Sequence, residues 1–490
     1  MLLEPLFDAS RRTPDKLAVT DPTRALTYKQ LTALAATMRN ILRESTDCPR
    51  VGLMLPSSAA NMGMFFATWW AGKTAVPLNF LAPTPELATI VEDAEIDLLV
   101  TIDHFADQVE PLPVRKLYLD KIGLKRRVIG TMIKGLPEQP TWNADDLALI
   151  LYTSGTIGKP KGVCLSADNL RSNADACIEH IGMTPEFEFL GVIPTFHVFG
   201  LTTTLICPAV CGATVHFLPR FQPLTVLETI QKRKINTLLL IASMYRALIR
   251  TKGDGDEMKT VTHAVAGGEP LPSDTRESFE KRFGVSLLEG YGLTETSPVV
   301  SVNQLDHCKH GTAGRLLPGV EARIADAENQ ILPAGTEGEI QVRGRCVMQG
   351  YYRQPEESAK ALTPDGWLHT GDAGTLDDEG FLSITGRIKE MIIVGGENVY
   401  PREVEDVLTR HEGVGEAAVI GIPDASRGEV VAAFVVPEEG VEVNEIALRE
   451  YCRKNLAGYK VPRTVTIEPD LPRSPTGKIL KRKLKERVRA

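Results

Sequence analysis

The sequence predicts an α/β protein with a large N-terminal domain of helix-covered β-sheets. Three observations lead to this prediction: apolar runs of strand length alternate with helical periodicity over residues 27–102, short β-rich runs broken by Gly and Pro occupy 311–382, and an αβ pattern resumes after Gly386-Arg387. Such alternation is typical of largely parallel sheets covered by helices. The β-rich stretch indicates a small barrel or sheet, expected as a β-barrel-like subdomain. We expect a smaller α+β C-terminal domain to begin near Lys389.

Local signals place the N-terminal elements in order. Thr27 and Gln30 form a capping box, and the apolar residues after them recur at helical spacing, so a helix begins there. The apolar runs that follow predict strand, helix, strand, helix and strand over 51–55, 61–71, 74–78, 84–94 and 98–102.

Residues 115–136 interleave basic and apolar side chains. A basic amphipathic stretch is typical of contact with an anionic membrane surface. Gly123, Gly130 and Gly135 interrupt the periodicity, which favours a solvated helix or a surface loop. We therefore expect at most a peripheral membrane contact.

Composition limits the class of protein. The 490 residues predict two to four domains, and the net charge of -8 argues against a general nucleic-acid binder. The eight cysteines form no repeated C-x-x-C pair, which fits a reducing compartment. The N-terminal residues lack the pattern of a signal peptide, and the most apolar windows are shorter than the ~20 residues of a membrane-spanning helix. A cytoplasmic protein is expected.

The first segment that carries chemistry follows an apolar strand over 147–152. The loop Thr153-Ser-Gly-Thr-Ile-Gly-Lys-Pro-Lys-Gly162 is rich in glycine, hydroxyl groups and lysine. Backbone N–H groups, hydroxyls and ammonium groups stabilise an anion such as polyphosphate. The loop does not fit the Walker pattern, which makes a P-loop NTPase improbable. Taken alone, it also fits a polar β-turn without a ligand.

Three further segments add candidate ligands. In Glu289-Gly-Tyr-Gly-Leu-Thr-Glu295 the glycines permit close backbone approach, the tyrosine offers a face for a base, and the final Thr and Glu suit phosphate and Mg²⁺. Asp372 ends Trp367-Leu-His-Thr-Gly-Asp and either caps local backbone or binds ribose hydroxyls. Lys478 precedes a basic tail that also fits a solvated C-terminus.

The order of these segments is more specific than any one of them. Over about residues 10–485 the chain resembles the adenylate-forming superfamily of acyl-CoA synthetases, adenylation domains and beetle luciferases. The resemblance is carried by eight ordered motifs, over 153–162, 194–200, 267–271, 290–295, 338–351, 367–372, 386–396 and 472–478. One departure is Ile157, where the family loop more often has a second Thr.

The resemblance implies an AMP-forming acid–thiol ligase that uses ATP, Mg²⁺ and coenzyme A. A substrate carboxylate would attack the α-phosphate of ATP, release pyrophosphate and form an acyl-adenylate, from which a thiol takes the acyl group. Because two anions meet in the first step, catalysis consists mostly of positioning and electrostatic stabilisation.

The resemblance also assigns roles to residues. The β- and γ-phosphates of ATP would contact Thr153, Ser154, Gly155, Thr156, Lys159 and Lys161. Mg²⁺ would be held by Glu295 and Thr156, and Thr294 would bind the α-phosphate. The adenosine pocket would be lined by Gly268, Glu269, Pro270, Gly290, Tyr291 and Gly292, and the ribose would meet Asp372 with Arg387 close by.

By the same resemblance, Lys478 would bridge the carboxylate and the α-phosphate during adenylation. The domains implied are 1–386, a hinge at 387–389 with Lys389 as the hinge residue, and a mobile domain over 390–490. Rotation about the hinge would withdraw Lys478 and bring Gly395 and Gly396 to the pantetheine channel.

The acid is inferred from the residues of the acyl pocket. The resemblance places Val198, Phe199, Gly200, Met244, Ala266 and Gly267 there, with Leu201 beside them, and His197 at the carboxylate. No acidic residue lies in the 196–200 motif to pair with an amino group, so a medium- or long-chain fatty acid is favoured, with an aryl acid next. Rival hypotheses are acyl transfer to an acyl carrier protein docked on the basic tail, and a nucleotide-binding sensor without turnover. His197 also fits a satisfied core histidine.

Overall fold

The computed structural model describes residues 2–153, 160–438, 440–473 and 479–489, with the side chains of Lys125, Lys134 and Arg489 also left out. The helices of these residues, in chain order, are α1 Glu4–Arg12, α2 Tyr28–Ser45, α3 Ala59–Trp70, α4 Thr84–Asp93, α5 Ala106–Val109, α6 Leu124–Lys134, α7 Ala167–Ile181, α8 Val198–Leu201, α9 Cys207–Cys211, α10 Pro223–Arg233, α11 Ala242–Arg250, α12 Ser273–Phe283, α13 Pro355–Ala361, α14 Pro401–Thr409, α15 Glu445–Asn455 and α16 Lys481–Arg489. A π-helical turn, Thr202–Ile206, joins α8 to α9.

The strands, again in chain order, are β1 Leu17–Asp21, β2 Arg24–Thr27, β3 Arg50–Leu53, β4 Thr74–Pro77, β5 Leu98–Thr101, β6 Arg115–Tyr118, β7 Leu147–Thr153, β8 Lys161–Ser166, β9 Glu188–Gly191, β10 Thr214–Phe217, β11 Thr237–Leu240, β12 His263–Ala266, β13 Leu287–Gly292, β14 Val299–Val302, β15 Arg315–Leu316, β16 Val320–Ala325, β17 Gly338–Gly344, β18 Gly350–Tyr351, β19 Leu368–Leu376, β20 Leu382–Arg387, β21 Ile392–Val394, β22 Glu397–Val399, β23 Val414–Asp424, β24 Gly428–Pro437 and β25 Thr464–Ile467.

Two large sheets form the N-terminal part. One has nine strands in the order β15-β14-β13-β12-β11-β9-β10-β1-β2, and the other has seven in the order β18-β8-β7-β4-β3-β5-β6. Within them β9 to β13 pair in parallel, as do β3 to β7. The structure therefore confirms the α/β class and the predicted strand–helix alternation over 51–102.

The first long helix forms as the capping box predicts. The Thr27 hydroxyl accepts a hydrogen bond from the Gln30 amide, and the Gln30 side chain accepts one from the Thr27 amide. These two bonds satisfy helix N–H groups that would otherwise have no partner. The apolar face of α2 packs on α3, whose Trp69 indole donates to the Ala148 carbonyl of β7. The largest apolar cluster thus joins these helices to both sheets.

Two smaller sheets follow. The β-rich stretch is a four-stranded antiparallel sheet in the order β16-β17-β19-β20, so of the two forms predicted it takes the sheet. The C-terminal residues build a five-stranded sheet of β21 to β25 with its own apolar cluster under α14 and α15. This agrees with a large N-terminal and a smaller C-terminal domain.

The structure also bears on what the sequence predicts for the cysteines and for membrane-spanning helices. All eight cysteines lie in described segments and are free thiols. Among the described residues no helix combines the length and the apolar character needed to cross a bilayer.

Candidate active site

A cavity of about 1210 Å³ opens at the carboxyl ends of the parallel strands β9, β11, β12 and β13. Ligands of open α/β sheets bind at this edge, where the loops that leave the strands diverge. A pocket for one small ligand is typically about 300–1,000 Å³, so this cavity has room for two ligands side by side. Its lining contains polar residues from the loops and apolar residues from within the strands.

One polar edge of the cavity is built by Tyr291 on β13, Asp372 on β19 and Arg387 at the end of β20. The Tyr291 hydroxyl donates to Asp372 Oδ2 at 2.6 Å, and Arg387 Nε lies 2.7 Å from Asp372 Oδ1. Burial raises the pKa of Asp372, while the Arg387 charge and the Tyr291 hydrogen bond lower it. Burial also raises the pKa of Tyr291, with the Asp372 charge acting in the same direction. The two partners therefore hold a buried carboxylate beside an aromatic ring.

A second polar edge is centred on Glu295, in the turn Thr294–Thr296 after β13. The Tyr351 hydroxyl donates to Glu295 Oε1 at 2.9 Å. Lys161 lies over the Tyr351 ring at 4.8 Å and pairs with Glu357 at 2.5 Å. That hydrogen bond and the Lys161 charge lower the pKa of Glu357 to about 2. These contacts tie the start of β8 to β18 and α13, so the base of the 153–162 loop and the Glu295 turn share one wall.

Lys389 reaches the cavity from the turn Ile388–Glu390. Loss of solvation lowers the pKa of its ammonium group, and so does the nearby Arg387 charge. The carboxylates of Asp372 and Glu295 act in the opposite direction. The charge of Glu390, on the same turn, acts in that direction too, so the predicted hinge residue is a cavity-lining cation with carboxylates near it.

The glycine-rich segment after β12 forms the floor between these edges. Gly268 has φ +78°, a conformation that favours glycine. A Cβ atom on Gly267 would lie 3.3 Å from the ring of Phe199, so the glycine lets that ring stand against the backbone. Glu269 accepts a hydrogen bond from the Ser243 amide at 2.5 Å, which fixes the loop to α11.

An apolar chamber continues from the polar edges between α7 and the nine-stranded sheet. Its wall consists of Cys177, Ile181, Met183, Leu239, Val265, Val299 and Val302. Asn173 and His180 hold α7 against β14: the Asn173 amide donates to the Val299 carbonyl at 2.7 Å, and His180 Nε2 lies 3.0 Å from the Val302 carbonyl. The chamber therefore has a fixed width.

Most predicted site residues that the structure describes line this cavity. They are Thr153, Lys161, His197, Val198, Phe199, Met244, Gly267, Gly268, Glu269, Gly290, Tyr291, Gly292, Thr294, Glu295, Arg387 and Lys389, with Asp372 bonded to Tyr291 behind them. Five predicted residues lie outside the described residues, namely Ser154, Gly155, Thr156, Lys159 and Lys478.

Four of the residues predicted for the acyl and adenosine pockets, Leu201, Ala266, Gly200 and Pro270, are not among those that line the cavity, and Leu201 packs in the main core. Ala266 pairs with Leu240, and both face the second apolar cluster; the preceding pair, Leu239 and Val265, faces the cavity. Gly200 does not line the cavity either. A Cβ atom at this position would lie 2.5 Å from the Pro194 carbonyl oxygen, so the glycine allows α8 to pack closely on the preceding turn. Pro270 lies beyond the lining residues of the loop.

Gly395 and Gly396 are also apart from the cavity. They form the exposed two-residue turn between β21 and β22, with φ +64° and +93°. Positive φ at both positions is typical of a tight hairpin turn. In this arrangement they do not contact the cavity lining.

Sequence reasoning missed the chamber wall and one ion pair outside it. Cys177, Ile181, Met183, Leu239 and Val302 carry no motif, since each is an ordinary apolar residue of a helix, a strand or, for Met183, the loop after α7. Glu289 and Arg402 form a largely buried pair at 3.2 Å between β13 and α14. Arg402 also donates to the Ile384 carbonyl at 2.9 Å. The acidic residue Glu289, next to the Tyr291 motif, was the sequence signal that could have indicated this ion pair.

The donor set can be tested against Mg²⁺. Within the described ranges no cluster of three or more His, Cys, Asp or Glu side chains is arranged for a metal. Among the described lining residues, Glu269 and Glu295 bear carboxylates; Glu269 accepts a hydrogen bond from the Ser243 amide, and Glu295 is partly engaged by Tyr351. Mg²⁺ is commonly held by one or two carboxylates together with phosphate oxygens and water, so Glu295 fits an ion that arrives with a nucleotide.

An aromatic, glycine-lined nucleotide pocket that opens on an apolar chamber defines the class: an acyl-activating enzyme that uses a nucleotide. Comparisons with known proteins agree. The model of the AMP-binding enzyme family matches residues 6–352, and that of the AMP-binding enzyme C-terminal domain matches 403–478. The chain therefore belongs to the AMP-binding enzyme family of the adenylate-forming superfamily, and it is an AMP-forming acyl-CoA ligase.

Individual relatives differ in substrate. The chain is 34% identical to a long-chain-fatty-acid–CoA ligase of Bacillus subtilis, over 98% of this chain and 93% of that protein. It is also 34% identical to a feruloyl-CoA synthase of Amycolatopsis, over 98% and 97%. Its fold matches ATP-bound MatB from Rhodopseudomonas palustris with a TM-score of 0.91 and 32% identity, over 100% and 99% of the two chains.

Proposed function

We propose that the protein activates a medium- or long-chain fatty acid with ATP and transfers the acyl group to coenzyme A, releasing AMP and pyrophosphate. The observation that carries the choice of acid is the apolar chamber between α7 and β11 to β14, which continues directly from the polar edges. Among the described lining residues only Glu269 and Glu295 bear carboxylates, and neither belongs to the chamber wall. An aliphatic chain fits this wall, whereas a substrate ammonium would have no counter-ion there.

The polar edges fit the nucleotide. Tyr291 offers its ring to adenine, and Asp372, with Arg387, faces the ribose hydroxyls, because a carboxylate accepts more hydrogen bonds than the two it already has. Thr153 ends β7 and Lys161 begins β8, so the two flank the loop proposed to hold the phosphates, and Thr294 is proposed to bind the α-phosphate. Mg²⁺ would be held by Glu295 and would neutralise phosphate charge when bound.

Cationic side chains are proposed to reduce the repulsion between the substrate carboxylate and the α-phosphate. Lys478 is proposed to bridge the acid and the α-phosphate during adenylation, since an ammonium on a long stem reaches both oxygens. His197, at the start of α8, is proposed to orient the carboxylate. Carboxylate attack on the α-phosphate forms the acyl–O–P bond as the bond to pyrophosphate breaks. The coenzyme A thiolate then attacks the acyl carbon, and AMP leaves.

The second half-reaction requires a change of arrangement. We place the hinge at 387–389, with domains over 1–386 and 390–490. Gly395 and Gly396 lie outside the cavity in the present arrangement, so a rotation about the hinge is needed to bring this turn to the pantetheine arm.

An aryl acid is the second candidate, favoured by one observation. Phe80 and Phe105 line the cavity and stack with centroids 5.0 Å apart, and Phe196 meets Phe80 edge-on at 4.9 Å. Such a cluster accepts another ring. An acyl carrier protein as acceptor is a further alternative, for which the basic helix α16 offers a docking surface.

A panel of acids tests these alternatives. The protein is incubated with ATP, Mg²⁺ and straight-chain or aryl acids, with and without coenzyme A, while pyrophosphate and acyl-CoA are measured. We expect the highest kcat/KM with a medium- or long-chain acid, and AMP release that depends on coenzyme A. A preference for cinnamate-type acids would overturn the fatty-acid assignment. Pyrophosphate release without acyl-CoA formation would point to a carrier protein, and no release at all to a sensor.

A further inference from the structure

We propose that α6 docks this protein on the surface of a membrane that contains anionic lipids. The proposal concerns the location of the enzyme and does not depend on which acid it activates. One face of α6 is part of the protein interior: Leu124 and Val128 pack against the main core, and the Thr37 hydroxyl of α2 donates to Thr131 Oγ1 at 2.8 Å. The orientation of the helix is therefore fixed by its inner face.

The outer face of α6 is apolar as well. At about 100° per residue, Ile133 lies opposite Leu124 and Thr131, Ile129 lies beside it on the outer face, and Met132 lies at the flank of that face. The exposed fractions of Ile129, Met132 and Ile133 are 54%, 44% and 80%, and Leu136, just beyond the helix, is 50% exposed. Scattered exposed apolar side chains are ordinary, but Ile129 and Ile133, one helical turn apart, form an apolar ridge with Met132 at its flank, and Leu136 follows just beyond the helix. Contact with water does not account for such a ridge, because exposed apolar surface is unfavourable in water.

The charge around the ridge selects the partner. Residues 120–138 contain five basic and two acidic side chains, in a chain whose net charge is -8. Arg126 is exposed next to the ridge, and Arg127 has only a distant contact with Glu44 at 3.9 Å. Basic residues beside exposed apolar ones are what an interfacial helix offers to acidic head groups and the adjacent acyl region.

The glycines that seemed to break the pattern lie mainly at its ends. Gly123 precedes the helix with φ +61°, and Gly135 follows it with φ +88°, so they bound α6 instead of interrupting it. Only Gly130 lies within the helix. The stretch is thus an eleven-residue helix with an outward apolar face.

Vesicle co-sedimentation tests the proposal. The full-length protein is mixed with vesicles of phosphatidylcholine alone or with phosphatidylglycerol added, at low and high salt. We expect binding to the anionic vesicles only, weakened by salt. The double variant Ile129→Glu/Ile133→Glu should bind at least about tenfold more weakly, and Arg126→Glu several-fold more weakly, because each change removes apolar burial or charge attraction.

The matched control is Ile446→Glu, on a C-terminal helix where the isoleucine is 70% exposed. It should bind vesicles like the original protein, and all variants should keep their activity on a water-soluble acid, which shows that they fold. Absence of binding by the unmodified protein, equal loss in the control, or a dimer that Ile133→Glu dissociates without any vesicle binding would each overturn the proposal.

Discussion

The width of the apolar chamber leads to a quantitative prediction for Cys177→Phe. Cys177 lies on α7 between Asn173 and His180, the two residues that fix the helix against β14. Cys177 is among the residues that line the cavity, and it is almost fully buried. Since α7 is held in place, a phenyl ring at this position has to fill the chamber, and it excludes the acyl chain from that space.

The expected loss follows from the contacts that the chain gives up. If the ring displaces about three methylene groups at about 0.8 kcal/mol each, transition-state stabilisation falls by about 2.4 kcal/mol. This corresponds to a loss of about 60-fold in kcat/KM. The loss applies only to acids long enough to reach Cys177, so hexanoate should be turned over almost as before, while hexadecanoate should show the full effect.

The assay measures acyl-CoA formation with hexanoate, decanoate and hexadecanoate. Cys308→Phe is the matched control, because Cys308 is an exposed thiol outside the cavity lining. Retained hexanoate activity and an unchanged melting temperature show that Cys177→Phe is folded. An equal loss for all three acids, or no loss for hexadecanoate, would refute the assignment of the chamber to the acyl chain.

Three further changes test other parts of the molecule. Lys389→Pro should stop thioester formation and spare pyrophosphate release. Lys389→Gln, which keeps the backbone free, should form the thioester at the normal rate. If both variants lose thioester formation, the effect belongs to the ammonium group and not to the backbone. Arg402→Met should increase trypsin cleavage between the domains several-fold, because its bonds to Glu289 and the Ile384 carbonyl cross the interface, while Arg453→Met should not. Burial raises the pKa of Asp406 to about 6. Its protonated form therefore contributes stability that is present below about pH 4 and is lost as pH rises through about 6. Asp406→Asn should accordingly melt higher than the original protein at pH 8 and equally at pH 4, and a lower melting temperature at pH 8 would contradict this sign.

The features that sequence predicts well here are local ones. A capping box specifies hydrogen bonds between residues three positions apart, so Thr27 and Gln30 predict the start of α2 without reference to the rest of the chain. Buried parallel strands are continuous apolar runs, so the positions of β3, β4 and β5 could be predicted from the sequence. The glycine and aromatic motif around Tyr291 is equally local, and it lies at the cavity as predicted.

The chamber could not be predicted in the same way, because it depends on register between distant elements. A strand that is buried on both faces gives no periodic signal for which face meets the ligand. Ala266 and Val265 are adjacent small apolar residues, and only the pairing of β12 with β11 shows that Val265 faces the cavity. Cys177 enters the wall from α7, some sixty positions or more before β11 along the chain, through contacts that no motif encodes.

The arrangement of charges explains how one site can serve two reactions. Lys389 lies on the turn Ile388–Glu390, and the charges of Glu390, Asp372 and Glu295 all raise the pKa of its ammonium group. The proposed rotation about this turn would change the distances from this charge to Asp372 and Glu295, and it would also separate Arg402 from the largely buried Glu289. Leaving a buried carboxylate without its partner is costly, so Glu289 favours the present arrangement until another cation or water reaches it. In the proposed cycle this pair, which lies outside the nucleotide pocket, would bias the equilibrium between the two arrangements, so changes at Arg402 should alter the ratio of the two half-reaction rates without altering the affinity for ATP.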